Sequence, residues 1–253
     1  MGLSRSQSVH DVARKVRRKL DLLLGQRQIS DLWPQGVVSF TFDDFPKTAL
    51  TAGGAILERH GARGTYYTAS TMANTKSDAG FLFDAEDIQA AHQRGHEIAC
   101  HTHSHLRCSE AGASTLASEV HANAAALSAI IKDFVPTNFA FPYGASSPTA
   151  RRVMKRYYSS CRGNQPGINV KIPDMAELFA YSVYAMTFDE IKLRDLIDKN
   201  RAIGGWLIFY THDVTQSPSP YGCTPDQWEA VVGHAARSMP ILTVRDVVSG
   251  LGV

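Results

Sequence analysis

The chain has 253 residues, 44% of them hydrophobic (AVILMFWYC), and 26 Lys and Arg against 24 Asp and Glu give a formal net charge of +2. This composition supports one sizeable core and excludes an intrinsically disordered chain, a strongly charged polymer binder and a run of roughly 18 apolar residues that could span a membrane. Four cysteines without a CxxC pair do not predict a disulfide framework, and we see no export signal, so we expect a cytoplasmic location.

Residues 1–35 are predicted to form a basic N-terminal extension. Residues 1–30 hold seven basic and two acidic side chains, and their apolar residues recur at helical spacing (Val9, Val12, Val16, Leu20, Leu23, Leu24). Such a helix could make peripheral contact with anionic lipid or bind a partner, or it could pack on the domain with its basic face in water. It lacks interleaved aromatic residues, so no nucleic-acid partner is expected. The sequence does not indicate an oligomeric state.

From residue 36 onward, strand-like and helical segments alternate. Strands are predicted at 37–42, 64–70, 96–100, 138–141, 157–161, 179–186, 206–211 and 241–244. Helices are predicted at 48–60, 85–94, 113–132, 147–156, 189–200 and 225–238. This alternation predicts an α/β fold with parallel strands and crossover helices, and about seven strand-like units favour a barrel over a doubly wound sheet. Residues 36–253 are therefore predicted to form one domain.

Two adjacent aspartates, Asp43 and Asp44, end the first strand in the segment VVSFTFDDFP (37–46). Parallel α/β folds place active sites at this end of their strands. Because neighbouring side chains on a strand point in different directions, one carboxylate could bind a cation while the other stays free as a base. Capping of the following helix would explain an aspartate at this position equally well.

Five of the ten histidines lie between residues 92 and 105. On a strand, His101 and His105 would be about 13 Å apart, too far to share one zinc ion, whereas on a helical turn their Cβ atoms would be about 5–6 Å apart. A shared metal therefore predicts that the chain turns helical directly after Cys100 and that His103 points elsewhere. Metal binding is favoured over a surface cluster, because neither capping nor a turn calls for HTHSH.

Two further strand ends carry residues of interest. His212 follows the apolar strand WLIFYT (206–211), where a lone histidine is more often a structural hydrogen-bonding group than a catalyst. The segment FAFPYG (139–144) ends another strand, and its turn Pro142-Tyr143-Gly144 could present backbone N–H groups to a developing oxyanion.

The order of these elements resembles the polysaccharide deacetylases, carbohydrate esterase family four: TFDD, then HTxxH, then FPYG, then a late strand ending in histidine. The resemblance covers roughly residues 36–248. It implies a distorted, incomplete (β/α)7-type barrel that holds one divalent metal, most often zinc, with cobalt, nickel or manganese as alternatives. It also implies removal of N-acetyl, or sometimes O-acetyl, groups from a sugar or glycan partner.

By position, the resemblance assigns roles to five residues: Asp44, His101 and His105 as metal ligands, Asp43 as general base and His212 as general acid. A site with one carboxylate and two imidazoles leaves coordination positions open for water and for the substrate carbonyl. We add the backbone N–H of Tyr143 as an oxyanion donor. We also add Tyr221, in the polar loop at 217–225, as a stacking platform for a sugar ring.

The sequence departs from the family pattern at three places. Phe45-Pro46 follows TFDD where the family usually has glycine, and Ala140 stands where the family has an arginine that orients the base. Arg162, at another predicted strand end, is our hypothesis for the missing guanidinium. The aspartate that tunes the acid histidine has no clear counterpart, and the candidates are Asp174, Asp189 and Asp213.

Two alternatives stay open at this stage. A related metal-dependent hydrolase could act on non-sugar C–N bonds of cyclic amides or ureides. A degenerate member could bind glycan without turning it over, which Phe45 and Ala140 favour and the five intact site residues oppose.

Overall fold

A computed structural model of the chain describes residues 27–252. Its strands are β1 Val37–Asp43, β2 Thr65–Thr68, β3 Lys76–Ser77, β4 Gly80–Phe81, β5 Glu97–Cys100, β6 Asn138–Ala140, β7 Ser160–Arg162, β8 Tyr181–Ser182 and β9 Trp206–Thr211. Its α-helices are α1 Ile29–Leu32, α2 Ala55–Arg59, α3 Ala85–Gln93, α4 Ala113–Ile130, α5 Pro148–Met154, α6 Glu190–Ile203, α7 Pro225–Ala236 and α8 Val244–Leu251.

Seven strands form one parallel sheet in the order β7-β6-β5-β2-β1-β9-β8. Its two edges are joined just before β8, where Leu178 forms a parallel bridge with Arg162 of β7. The sheet is thus curled into an incomplete (β/α) barrel, which confirms the predicted fold class. β3 and β4 form a separate antiparallel hairpin between β2 and α3.

The central strand β1 shows why the sheet forms here. All seven of its residues are buried, as expected for a parallel strand covered on both faces. Phe40 and Phe42 pack on Trp228 of α7, with ring centroids 5.1 Å apart in each pair. Because side chains alternate along a strand, Thr41 and Asp43 point to the barrel interior instead. The carboxyl end of β1 therefore delivers an aspartate to the barrel mouth.

The prediction of a strand at 241–244 is wrong. Only Ile241 bridges the sheet, to Val38, and Thr243 then caps α8 by accepting a hydrogen bond from the Asp246 N–H (3.2 Å). The Arg245 N–H at the start of α8 donates to the side chain of Glu97 (2.8 Å), which is buried. Val244 is thus the first residue of α8, a helix whose buried residues Val244, Val247, Val248 and Leu251 form one apolar face of the core.

Other segment boundaries shift by a few residues. The strand predicted at 157–161 lies at Ser160–Arg162, the segment at 179–186 is extended as a strand only at Tyr181–Ser182, and a π-helical turn (Ala49–Gly54) opens the helix predicted at 48–60. The predicted amphipathic helix falls largely on residues 1–26, outside the described residues, so the domain boundary near residue 35 stays a prediction. Among residues 27–252, no helix is both long and apolar enough to cross a membrane.

A buried histidine, His96, lies outside the barrel mouth. His96 Nδ1 accepts a hydrogen bond from the Gly64 N–H (2.9 Å), so the ring proton sits on Nε2 and is donated to Glu58 (3.0 Å). Burial lowers the pKa of His96 from 6.5 to about 4, although the hydrogen bond to Glu58 acts in the opposite direction. The folded state therefore holds this imidazole neutral.

We expect this histidine to steepen the loss of stability in acid. Between pH 6.5 and 4 the imidazole of His96 is protonated in the unfolded chain but stays neutral in the folded protein. The free energy of unfolding is therefore at its full value above pH 6.5 and decreases as the pH falls toward 4. Urea unfolding from pH 7.5 to 4.5 should show a decrease about 2–3 kcal/mol larger for the wild type than for His96→Gln, whose amide can make both hydrogen bonds. Parallel stability curves for the two proteins would show that His96 is not the titrating group.

Candidate active site

Asp44, His101 and His105 meet at the mouth of the barrel. Their ligand atoms all lie within 4.8 Å of one another, and Asp44 Oδ1 is 3.1 Å from His105 Nε2 and 3.7 Å from His101 Nε2. Burial alone would raise the pKa of Asp44, but His105, His101 and His212 outweigh it and hold that pKa well below its usual range. The structure thus brings the three predicted metal ligands together with the carboxylate ionised.

The two histidines predicted as ligands are oriented through their other ring nitrogen. His101 Nδ1 lies 2.8 Å from the carbonyl oxygen of Ala140, which can only accept, so Nδ1 carries the proton and Nε2 faces Asp44 with its lone pair. His105 Nδ1 lies 3.0 Å from the hydroxyl of Tyr143. Burial lowers the pKa of His101 to about 4, which keeps the ring in the neutral form that binds metals.

The prediction that the chain turns helical after Cys100 is wrong. Residues 101–107 are irregular, and two of them adopt left-handed backbone angles, Thr102 (φ 63°) and His105 (φ 55°). These two turns bring the imidazole rings of His101 and His105 to 5.0 Å between centroids without a helix. Tight backbone reversals at non-glycine residues are uncommon, and sequence spacing alone does not suggest them.

Asp43 is held by an arginine from the opposite side of the barrel. Arg162 Nη2 donates to Asp43 Oδ1, and the two side chains are nearly buried, with residue exposures of 1% and 7%. The guanidinium lies between the rings of Tyr67 and Tyr210, 5.0 and 4.8 Å from their centroids. Ala140 is the register partner of Arg162 across β6 and β7, so its small side chain faces the space that the arginine uses.

His212 lies on the other side of Asp44, with its Nε2 3.8 Å from Asp44 Oδ2. Its Nδ1 is 3.2 Å from the carbonyl oxygen of Tyr221, so a backbone group holds the orientation that we assigned to an aspartate. The proposed aspartates are engaged elsewhere: Asp213 accepts from Ser219, Asp189 caps α6 and Asp174 accepts from the Ala176 N–H. A carbonyl partner cannot be found from residue types, which is why the sequence analysis missed it.

These residues line one cavity of about 430 Å³. Tyr143 and Tyr221, both predicted site residues, have exposed rings on its wall, and Pro142 is buried at the start of the turn that carries Tyr143. Gly144 of the predicted turn also lines the cavity, and the lining that the sequence analysis missed comprises Tyr184, Tyr210, Asn164 and the hairpin residues Ser77, Asp78 and Ala79. No motif marks those residues, because they reach the cavity from separate segments: Tyr210 from β9, Asn164 and Tyr184 from irregular segments, and the other three from the β3–β4 hairpin.

The residues that meet here are those of the motifs that resemble one family. The polysaccharide deacetylase family profile matches residues 33–159, half of the chain. The chain belongs to this family. No curated protein sequence matches it.

Solved structures show the same fold at low sequence identity. A family 4 acetyl xylan esterase from Clostridium thermocellum, in complex with a cobalt ion, is 18% identical with a TM-score of 0.58, covering 86% of this chain and 92% of that one. The Xyl-CE4 domain of a xylanase from the Trinervitermes trinervoides hindgut metagenome is 16% identical with a TM-score of 0.52, covering 87% and 92%. A family 4 carbohydrate esterase from Streptomyces lividans, in complex with acetate, is 17% identical with a TM-score of 0.50, covering 80% and 87%.

This member of the polysaccharide deacetylase family has a donor set that fits a divalent metal ion. One carboxylate and two imidazoles, each imidazole with its second nitrogen oriented by a partner, match the ligand preferences of zinc. Asp44 Oδ1 is buried and makes no well-oriented hydrogen bond within residues 27–252. Such an orphaned buried oxygen is costly unless a cation satisfies it.

Proposed function

We propose that this deacetylase family member is a metal-dependent enzyme that hydrolyses the N-acetyl group of an amino-sugar unit in a glycan or glycan precursor. The observation that carries the proposal is the Asp44–His101–His105 cluster with Asp43 and His212 at the same cavity. Family membership supports sugar deacetylation, and the cobalt complex of the Clostridium relative supports a metal at such a site. Zinc is the metal that we propose.

The roles of the chain's own groups follow from their positions. A divalent ion held by Asp44, His101 and His105 would supply a Lewis acid that acidifies water and polarises the acetyl carbonyl. Asp43, outside the ligand set, accepts the proton of the attacking water, and the guanidinium of Arg162 donates to this carboxylate and fixes its direction. Asp43 therefore acts as the base rather than as a fourth ligand.

The leaving amine needs a proton, and His212 is placed to give it. Its Nδ1–H donates to the Tyr221 carbonyl, so the protonated ring points Nε2–H toward the cavity. The backbone N–H of Tyr143 is proposed to face the oxyanion, and the exposed rings of Tyr143 and Tyr221 offer stacking surfaces for a sugar. The products would be acetate and a free amino group.

Removal of the metal should abolish activity reversibly. We expect acetate release from acetylated chito-oligosaccharides to fall to background after dialysis against a strong chelator and to return when one equivalent of zinc is added. The physical reason is that the carbonyl and the water lose the charge that activates them.

The substrate panel includes O-acetylated xylo-oligosaccharides and cyclic amides as controls. Release of acetate only from the xylan substrates would change the proposed bond from amide to ester, and hydrolysis only of cyclic amides would replace the sugar assignment. Zinc binding and glycan binding without turnover of any substrate would indicate a non-catalytic member.

A further inference from the structure

We propose that Glu119 of α4 is a positioning residue that shapes the metal-binding loop at 101–105, an inference that rests on the metal site of the proposed function. Glu119 is neither a ligand nor a cavity residue. Its carboxylate reaches the outer side of the loop and fixes the backbone between His101 and His105.

Glu119 accepts three hydrogen bonds from two consecutive residues of the loop. Its Oε2 accepts from the N–H of His103 (2.9 Å) and of Ser104 (2.8 Å), and its Oε1 accepts from the hydroxyl of Ser104 (2.9 Å). Hydrogen bonds to a carboxylate are stronger than neutral ones. One side chain therefore satisfies both free N–H groups at the centre of the loop.

The loop needs such a partner because its conformation is unfavourable by itself. The left-handed angles at Thr102 and His105 flank the two clamped residues, and threonine is β-branched, which makes this conformation a genuine outlier. Outliers of this kind persist only where surrounding contacts enforce them. Loss of the three hydrogen bonds to Glu119 should let the loop relax and move His105 away from His101.

A second set of contacts ties the same loop to the segment after β2. His103 Nδ1 lies 2.7 Å from the Ser70 hydroxyl, and the His103 carbonyl accepts from the Thr71 N–H (3.0 Å). Asn123, one helical turn after Glu119, accepts from the Ser70 N–H (3.0 Å). Helix α4 thus holds both loops from one face. The middle histidine of HTHSH serves as a tie between the loops.

The test measures zinc affinity, which does not require a substrate. We expect Glu119→Ala to bind zinc 10–100-fold more weakly than the wild type in competition with a chromophoric chelator, the range for partners that orient metal ligands. Glu119→Gln should stay within about threefold, because its amide oxygen can accept both N–H groups and its NH₂ can donate to the Ser104 hydroxyl. The far-UV spectrum and the apo melting temperature of each variant establish that it is folded.

Glu86→Ala is the matched control, since Glu86 is an exposed glutamate of α3 whose side chain forms no hydrogen bond or ion pair with any described residue. If Glu119→Ala bound zinc with wild-type affinity, or if Glu119→Ala and Glu119→Gln lost equal zinc affinity, the positioning role of Glu119 would be contradicted. Absence of zinc binding in the wild type would instead refute the metal site, and so the proposed function itself.

Discussion

Replacing Arg162 with alanine is expected to lower kcat by at least about 100-fold and the free energy of unfolding by about 3–5 kcal/mol. The arginine is buried, and its removal leaves the Asp43 carboxylate without its cation inside the barrel. Acetate release by the zinc-loaded variant and urea unfolding measure the two effects. Arg156→Ala is the control, because Arg156 is exposed and makes no side-chain hydrogen bond among the described residues.

The same prediction can be tested by moving the arginine. Ala140 and Arg162 are register partners on neighbouring strands, so Ala140→Arg in the Arg162→Ala background offers a guanidinium to Asp43 from the adjacent position. We expect the double variant to regain at least about tenfold in kcat, part of the range that a positioned base contributes. Unchanged turnover in a folded Arg162→Ala protein would show that Asp43 does not need this partner.

Replacing Asp43 and replacing Asp44 should have different effects on zinc affinity and on kcat. Asp43→Asn is expected to bind zinc with wild-type affinity while kcat falls by about 10²–10⁴, because only the base is lost. Asp44→Asn is expected to lose both zinc and turnover, because the amide is a poor ligand for zinc and the anion between the histidines is gone.

Zinc titration followed by acetate assays separates the two variants, with Glu86→Ala as the control for general handling. Equal loss of zinc in both variants would make Asp43 a ligand rather than a base. Full zinc binding by Asp44→Asn would remove Asp44 from the metal site.

The sequence predicted that residues far apart in the chain would meet at one edge of the sheet, and the physical reason is simple. Parallel strands carry their carboxyl ends to the same edge of the sheet, so Asp44 after β1 and His101 after β5 must approach one another. The same reasoning led to Arg162, although no motif marks it. In the structure β7 ends one residue later than predicted, so Arg162 is the last residue of the strand, and its guanidinium donates to Asp43.

What the sequence could not provide depends on backbone groups and on packing between separate segments. The partner of His212 is a carbonyl oxygen, which every residue possesses, so no residue type announces it. The loop before His105 reverses direction at two non-glycine residues, against the local preference of the chain. The strand predicted at 241–244 ends where α8 begins, and the start of this helix is held by Glu97, nearly 150 residues earlier in the chain.

Phe45 follows the two aspartates with a left-handed backbone (φ 48°), and its buried ring lies 5.5 Å from that of Phe83, beyond the β3–β4 hairpin. The Phe83 N–H also donates to the Phe45 carbonyl (3.0 Å). The tip of the β3–β4 hairpin lines the cavity. The contacts between Phe45 and Phe83 therefore fix this side of the cavity to the end of β1, next to Asp43 and Asp44. We therefore expect the entrance of the cavity to keep its shape when a substrate binds. Substrates would then be selected by whether their size fits this entrance, and not by a movement of the hairpin over the bound substrate.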